Sequence, residues 1–155
     1  MSKMSRLLVT GAQGYVGSVF CQLAKLAGHH VTEIDLGWFI NTLSRDPADS
    51  QHYAHRDYKS LTDEELAKTD ALVHLAAVSN DPMGKRFDTL TRETNHLGAE
   101  LLLQRASNCG VKRVVFASSC SVYGTPGKHP RTEESQLRPL TVYAESKVAT
   151  EEAID

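Results

Sequence analysis

Arg6-Leu7-Leu8-Val9-Thr10-Gly11-Ala12-Gln13-Gly14-Tyr15-Val16-Gly17 is the stretch on which the reading of this 155-residue chain turns. An apolar run, Arg6 to Thr10, has the length and composition of a buried strand, and three glycines spaced by two residues follow it directly. Beyond them Val16, Val19, Phe20, Leu23, Leu26 and Ala27 recur at helical spacing, which predicts a helix whose apolar stripe packs on the sheet. Gly28 then ends that helix. Each glycine has a job in a strand–turn–helix unit. Gly11 permits the tight turn, Gly14 lets backbone N–H groups approach a pyrophosphate, and Gly17 lets the helix sit close on the strand. The helix N-terminus adds unpaired donors and a partial positive charge for the phosphates.

Outward from this unit, short apolar runs alternate with longer amphipathic stretches. Strands are predicted at Arg6 to Thr10, Val31 to Asp35, Gln51 to His55, Ala71 to Ala76 and Arg113 to Ala117, the third being barely apolar. A long helix is predicted over Arg86 to Asn108, carrying Phe87, Leu90, Leu97, Leu101 and Leu102 and stopped by Gly110. The last helix is predicted to begin near Thr141 and to run on to Asp155. The pattern is α/β: a Rossmann-like, doubly wound parallel sheet of about five strands with flanking helices. At this length one domain, residues 1–155, is expected. Pro126, Gly127, Pro130 and Pro139 mark the connection before the last helix as a loop, and Gly37 to Ser50 reads as irregular.

A formal net charge of -2, with 23% charged residues, implies no general attraction to nucleic acid or to an anionic membrane. No segment reaches the ~18 apolar residues of a membrane span and no signal-peptide stretch is present, so a cytoplasmic protein is expected. Cys21, Cys109 and Cys120 lack metal-ligand spacing, so no metal site is expected; Cys21 and Cys109 read as small core residues.

Asp35 ends the second strand, where a carboxylate can accept hydrogen bonds from the ribose hydroxyls of a dinucleotide, and a helix-flanking, solvated carboxylate is the competing reading. Leu36 and Gly37 follow it and offer no cation to a 2'-phosphate, so NAD is favoured over NADP, with Arg45 as the exception if its loop folds back. Further along, Tyr143 and Lys147 stand four residues apart, on one face of a helix. A phenol of pKa ~10 is a poor base near neutrality, but a neighbouring ammonium lowers that value.

With Tyr143-Ala144-Glu145-Ser146-Lys147 added, the chain resembles the extended short-chain dehydrogenase/reductase superfamily, in particular its nucleotide-sugar epimerase and dehydratase branch. The resemblance runs from Arg6 to the end. It rests on the glycine turn, on Val73-His74-Leu75-Ala76-Ala77, on Asn95, on Ser118-Ser119-Cys120-Ser121-Val122-Tyr123-Gly124, and on the tyrosine–lysine pair. It implies an NAD pocket lined by Gly11, Gln13, Gly14, Tyr15, Val16, Gly17, Asp35 and Leu36. Asp57 and Tyr58 would lie near the adenine, Leu75, Ala76 and Ala77 would border the dinucleotide, and Asn95 would support the lysine through water. Asp57 as a surface carboxylate and Asn95 as a partly exposed polar residue are the bland alternatives.

The same resemblance implies Ser119, Tyr143 and Lys147 as catalytic residues. Tyr143 takes a proton from a sugar hydroxyl as hydride leaves the same carbon, Ser119 bonds the reacting oxygen, and Lys147 also holds the nicotinamide ribose. Sugar 4,6-dehydratases of this family carry an Asp-Glu pair after the catalytic hydroxyl; here Cys120 and Ser121 stand there, so epimerase chemistry is favoured over elimination. Ser79 to Gly84 faces the expected substrate side, with Asp81 either catalytic or part of an Asp-Pro turn. Family members run to about twice this length, which implies that the chain is truncated before a substrate domain, leaving an uncovered sheet edge and a homodimer through the long helix and the Tyr–Lys helix. Three functions compete: a nucleotide-sugar epimerase or its cofactor half, an NAD-binding module without turnover, and a structural or interaction fragment.

Overall fold

A computed structural model describes residues 4–38, 53–79, 87–125, 127 and 130–154. Contacts within the chain gather into two compact units, Met1–Ala76 with Gln104–Phe116, and Ala77–Leu103 with Ala117–Asp155. The predicted substrate-side segment around Asp81 and the exception residue Arg45 lie outside the described residues.

The first unit holds a five-stranded parallel sheet in the order β3-β2-β1-β4-β5. Its strands are β1 (Arg6–Thr10), β2 (His30–Asp35), β3 (Tyr53–His55), β4 (Ala71–His74) and β5 (Arg113–Phe116). The chain winds outward from β1 through β2 to β3, then returns to β4 on the other side of β1. This reversal of strand order, at the carboxyl ends of β1 and β4, is the Rossmann-type switch point. Leu8, Val9 and Thr10 of β1 are buried, as a strand central to such a sheet requires. β4 and β5 each stop short of their predicted ends, at His74 and Phe116. Among the described residues β5 pairs with β4 alone, and its Val115 is exposed.

Helix α1 (Tyr15–Leu26) corrects one reading of the sequence. Its sheet-facing residues are Gly17, Cys21 and Ala24, with Phe20 partly buried, packed around Val9, Val31 and Val73. Val16, Val19, Leu23 and Leu26 are exposed. The cause is distance. Gly17 lies so near the Gly11–Ala12 backbone that only small side chains fit on that face, and hydrophobic periodicity does not register closeness. Gly28, at φ 86, ends the helix as predicted, its N–H donating to Lys25 O. Lys25 also reaches across to the buried Glu33 of β2 at 2.8 Å, so this buried carboxylate is paired. A short helix α2 (Asp63–Ala67) is started by a capping box between Thr62 and Glu65.

The second unit contains α3 (Asp88–Arg92), a π-helical turn Glu93–Gly98, the first part of α4 (Ala99–Asn108), a 3-10 turn Cys120–Tyr123, and α5 (Val142–Glu152). The long helix predicted over Arg86 to Asn108 is therefore interrupted by a π segment, and Leu90, Leu97 and Leu101 are exposed while Leu102 is buried. The last helix ends at Glu152, with Ala153 capping it, and Asp155, its expected end, lies outside the described residues. Thr141 starts it, its Oγ1 accepting the Ala144 N–H at 3.1 Å. The buried face of α5 is Ala144, Ser146, Lys147 and Thr150, three of them polar.

Candidate functional site

The glycine turn forms as a cradle of backbone. Gly11 has φ 71, and a Cβ there would stand 2.6 Å from Ala76 N, so β1 and the segment after β4 meet with no room for a side chain. At Gly17 an added carbon would run into the Gly11 carbonyl and stand 2.9 Å from Ala12. Gly14 differs, because among the described residues its Cβ would meet only Gly11 O at 3.3 Å. Gly14 is the N-cap of α1 and offers no side chain to the first amides of that helix, which leaves them to an outside acceptor.

Around this cradle the other expected cofactor residues fall in distinct places. Asp35 accepts the Gln13 N–H at 3.0 Å and the Gly37 N–H at 2.9 Å, which fixes its carboxylate at the end of β2 beside the turn. Gln13 is buried, and its Oε1 has no hydrogen-bond partner among the described residues. A buried amide oxygen left so is costly and fits an incoming donor such as a ribose hydroxyl. Tyr15, Val16 and Leu36 are exposed, and Leu75 and Ala76 are partly buried after β4. Asp57 caps a 3-10 turn (Tyr58–Ser60), accepting the Lys59 N–H at 2.9 Å. The Tyr58 ring is committed to the core, edge-on to His74 at 4.9 Å, and burial pushes its phenol well above the ordinary range. His74 in turn bonds Thr10 Oγ1 through Nδ1 at 2.7 Å, while Ala76 N–H donates to the same hydroxyl at 3.4 Å. This Thr10–His74–Ala76 clasp was not found from the sequence, because Thr10 lies more than sixty positions before the other two.

The second unit brings together most of the expected catalytic residues. Lys147 is 3% exposed; its Nζ donates to Ala117 O at 2.7 Å and lies 5.6 Å from the centroid of the Tyr143 ring. Burial pushes the amine down to about 8, and Glu151 opposes that shift. At neutral pH the group is still charged, which is the form that favours a neighbouring phenolate. Ser119 caps the 3-10 turn: its Oγ accepts the Ser121 N–H at 3.2 Å and shares a hydrogen bond with Ser121 Oγ at 2.9 Å. Two donors arriving at Ser119 Oγ would leave its own proton to be given outward. Gly124, at φ 71, closes this segment against the Arg138 backbone, where no side chain fits. Asn95 is buried in the π turn and bonds Val78 on both sides of its carboxamide, a partner the sequence did not reveal. Ala77 is partly buried and Cys120 exposed.

Over residues 7–155 the sequence matches the profile of the NAD dependent epimerase/dehydratase family. The chain belongs to this family. It is 31% identical over 148 residues to a UDP-glucose 4-epimerase of Lactobacillus helveticus, a match that takes in 94% of this chain and 45% of the other. Among solved structures it is similar to MoeE5 in complex with UDP-glucose and NAD, with a TM-score of 0.82 at 29% identity, covering 96% of this chain and 48% of that one. TunA, an NAD dependent NDP-hexosamine 5,6-dehydratase involved in tunicamycin biosynthesis, gives a TM-score of 0.86 at 26% identity, with the same coverage of 96% and 48%. The chain thus spans about half the length of the curated relatives it matches, 45% in the epimerase above. No helix among the described residues is long and apolar enough to cross a membrane.

Proposed function

We propose that residues 1–155 are the NAD-binding and proton-transferring half of a nucleotide-sugar epimerase. The observation that carries this reading is the pairing on α5, a buried ammonium 5.6 Å from a tyrosine ring, in a chain whose first strand ends in an uncapped glycine cradle. The fit to NAD rests on that cradle, on the orphaned Gln13 oxygen and on the Asp35 carboxylate, which would receive the phosphates and the ribose hydroxyls. When bound, NAD supplies the acceptor for a hydride and gives it back. Tyr143 takes the proton of the sugar hydroxyl at its Oη, with Lys147 holding the phenolate by charge, and returns it in the reverse step. Ser119 donates to the reacting oxygen as negative charge gathers there. Asn95 holds the segment after β4 by both edges of Val78, and Asp57 and the Tyr58 backbone would flank the adenine.

Elimination is the second reading, since one similar structure is a dehydratase. Cys120 and Ser121 carry no carboxyl group, which leaves that chemistry without its acid and base at these positions. A partner copy docking on the exposed Leu90, Leu97 and Leu101 would give a homodimer, which sedimentation of the full chain would detect.

The test has two stages. Titration with NAD should saturate; absence of saturable binding would leave only a structural or interaction role. Interconversion of UDP-glucose and UDP-galactose, or of the matching dTDP-sugars, then separates an epimerase from an NAD-binding module without turnover. Two glycine variants locate the cofactor. Gly14→Val should fold normally and lose NAD binding, because its side chain enters the space above the helix N-terminus and meets little protein. Gly17→Ala should instead lower the melting temperature, since its methyl collides with the Gly11 carbonyl. Thermal denaturation with NAD titration distinguishes the two; normal NAD affinity in Gly14→Val would contradict the cradle.

A further inference from the structure

Thr150 is fully buried on α5, and its hydroxyl has a use that packing does not explain. Oγ1 donates to the backbone oxygen of Asn95, inside the π turn, at 2.8 Å, and lies 2.9 Å from Ser146 O one turn back on its own helix. Asn95 is itself immobilised, because Val78 N–H donates to its Oδ1 at 2.8 Å and its Nδ2 donates to Val78 O at 2.9 Å. The hydroxyl therefore ties α5 to a point fixed from two directions. Valine has the same shape as threonine and would fill the same space, but it would leave the buried Asn95 oxygen without this donor.

We infer that Thr150 is a positioning residue for Lys147, setting the rotation and height of the Tyr143–Lys147 helix against the π turn. The two residues are three apart, on the same face of α5. Lys147 reaches Ala117 O with a flexible four-carbon stem, so a small rotation of the helix changes that bond and carries the Tyr143 ring with it away from its place. A clamp one turn further on removes that freedom. π turns inside α-helices frequently sit at functional sites, and here the turn presents a backbone oxygen to the helix that bears the proton-transfer pair. The inference rests on the proposed epimerase reading for its catalytic part and on the geometry alone for its positional part.

Among the described residues, the charged groups that bear on Lys147 include Glu151 on its own helix and the ionisable phenol of Tyr143; Arg92 and Glu145 pair with each other at 2.8 Å. None is altered in Thr150→Val. In the full chain saturated with NAD, Thr150→Val should lower kcat roughly 10- to 100-fold, as small misplacements of catalytic groups do, with KM for the nucleotide-sugar little changed. Titration of the Lys147 side chain followed by NMR should move upward from about 8, because a loosened amine is better hydrated. Thr150→Ser, which keeps the donor, should restore both. An unchanged Lys147 midpoint with unchanged kcat, even alongside a lower melting temperature, would reduce Thr150 to a packing residue and overturn the inference. Should Thr150→Val not fold, Thr150→Ala removes the donor without adding bulk and is read in the same way. If the wild type transfers no hydride with any nucleotide-sugar, the functional reading fails, and the Lys147 titration alone then decides the positional claim: a shift rescued by serine sustains it, and no shift ends it.

Discussion

Tyr143→Phe is expected to lower epimerase turnover by about 10²- to 10⁴-fold, the range over which a positioned acid–base group acts, while NAD affinity stays within about twofold. The substitution removes one oxygen and keeps the ring. Contacts that hold α5 in place and survive the change are the Thr141 cap, Ser146 Oγ donating to the Tyr143 backbone carbonyl at 2.7 Å, and Thr150 bonding Asn95 O. The ring keeps its place 5.6 Å from the Lys147 ammonium, so the electrostatic environment also persists. Loss of rate with retained binding therefore isolates proton transfer from folding and from cofactor capture. Steady-state interconversion of a UDP-sugar, beside an NAD titration of the same preparation, measures both. Turnover that survived the change would assign the proton to another group.

The parts of this protein that could be read from its sequence are those in which one short segment contains its own explanation. The glycine turn is such a segment, since strand, turn and helix follow within a dozen residues and Gly11 and Gly17 meet backbone where the spacing predicts. Tyr143 and Lys147 are another, since four residues on a helix define one face. The failures share a different cause. The stripe Val16, Val19, Leu23 and Leu26 has good helical periodicity, yet the sheet takes the Gly17, Cys21 and Ala24 face because the backbones come too close for larger residues. Asn95 gains its meaning from Val78 and Thr150, which are 17 and 55 positions away. The π turn around it leaves no mark on hydrophobic spacing. Tyr58 is itself expected near the adenine with Asp57, and its ring lies in the core edge-on to His74 of β4, a contact across 16 positions that local spacing does not register.

Lys147→Met should abolish turnover and, near pH 7, make the folded chain more stable. A lysine that titrates at about 8 in the fold and at 10.5 when unperturbed is held charged at neutral pH against its surroundings. At about 1.4 kcal/mol per unit that mismatch costs on the order of 3 kcal/mol. Methionine fills a similar volume without charge, while losing the bond to Ala117 O, whose unpaired carbonyl returns about 1–2 kcal/mol of the gain. The net expectation is a stabilisation of about 1–2 kcal/mol, with a signature in pH. Between about 8 and 10.5 the unfolded chain binds more protons at this residue than the folded one, so wild-type stability rises with pH across that window. The variant lacks this contribution. The advantage of Lys147→Met should therefore be largest below pH 8 and fade as pH approaches 10.5, which paired urea unfolding curves at several pH values would show. A variant less stable than wild type at pH 7, or a difference that ignored pH, would mean that the ammonium is well solvated where it stands. In that case its hold on the Tyr143 phenolate would be weak, and the case for proton transfer at this helix would weaken with it.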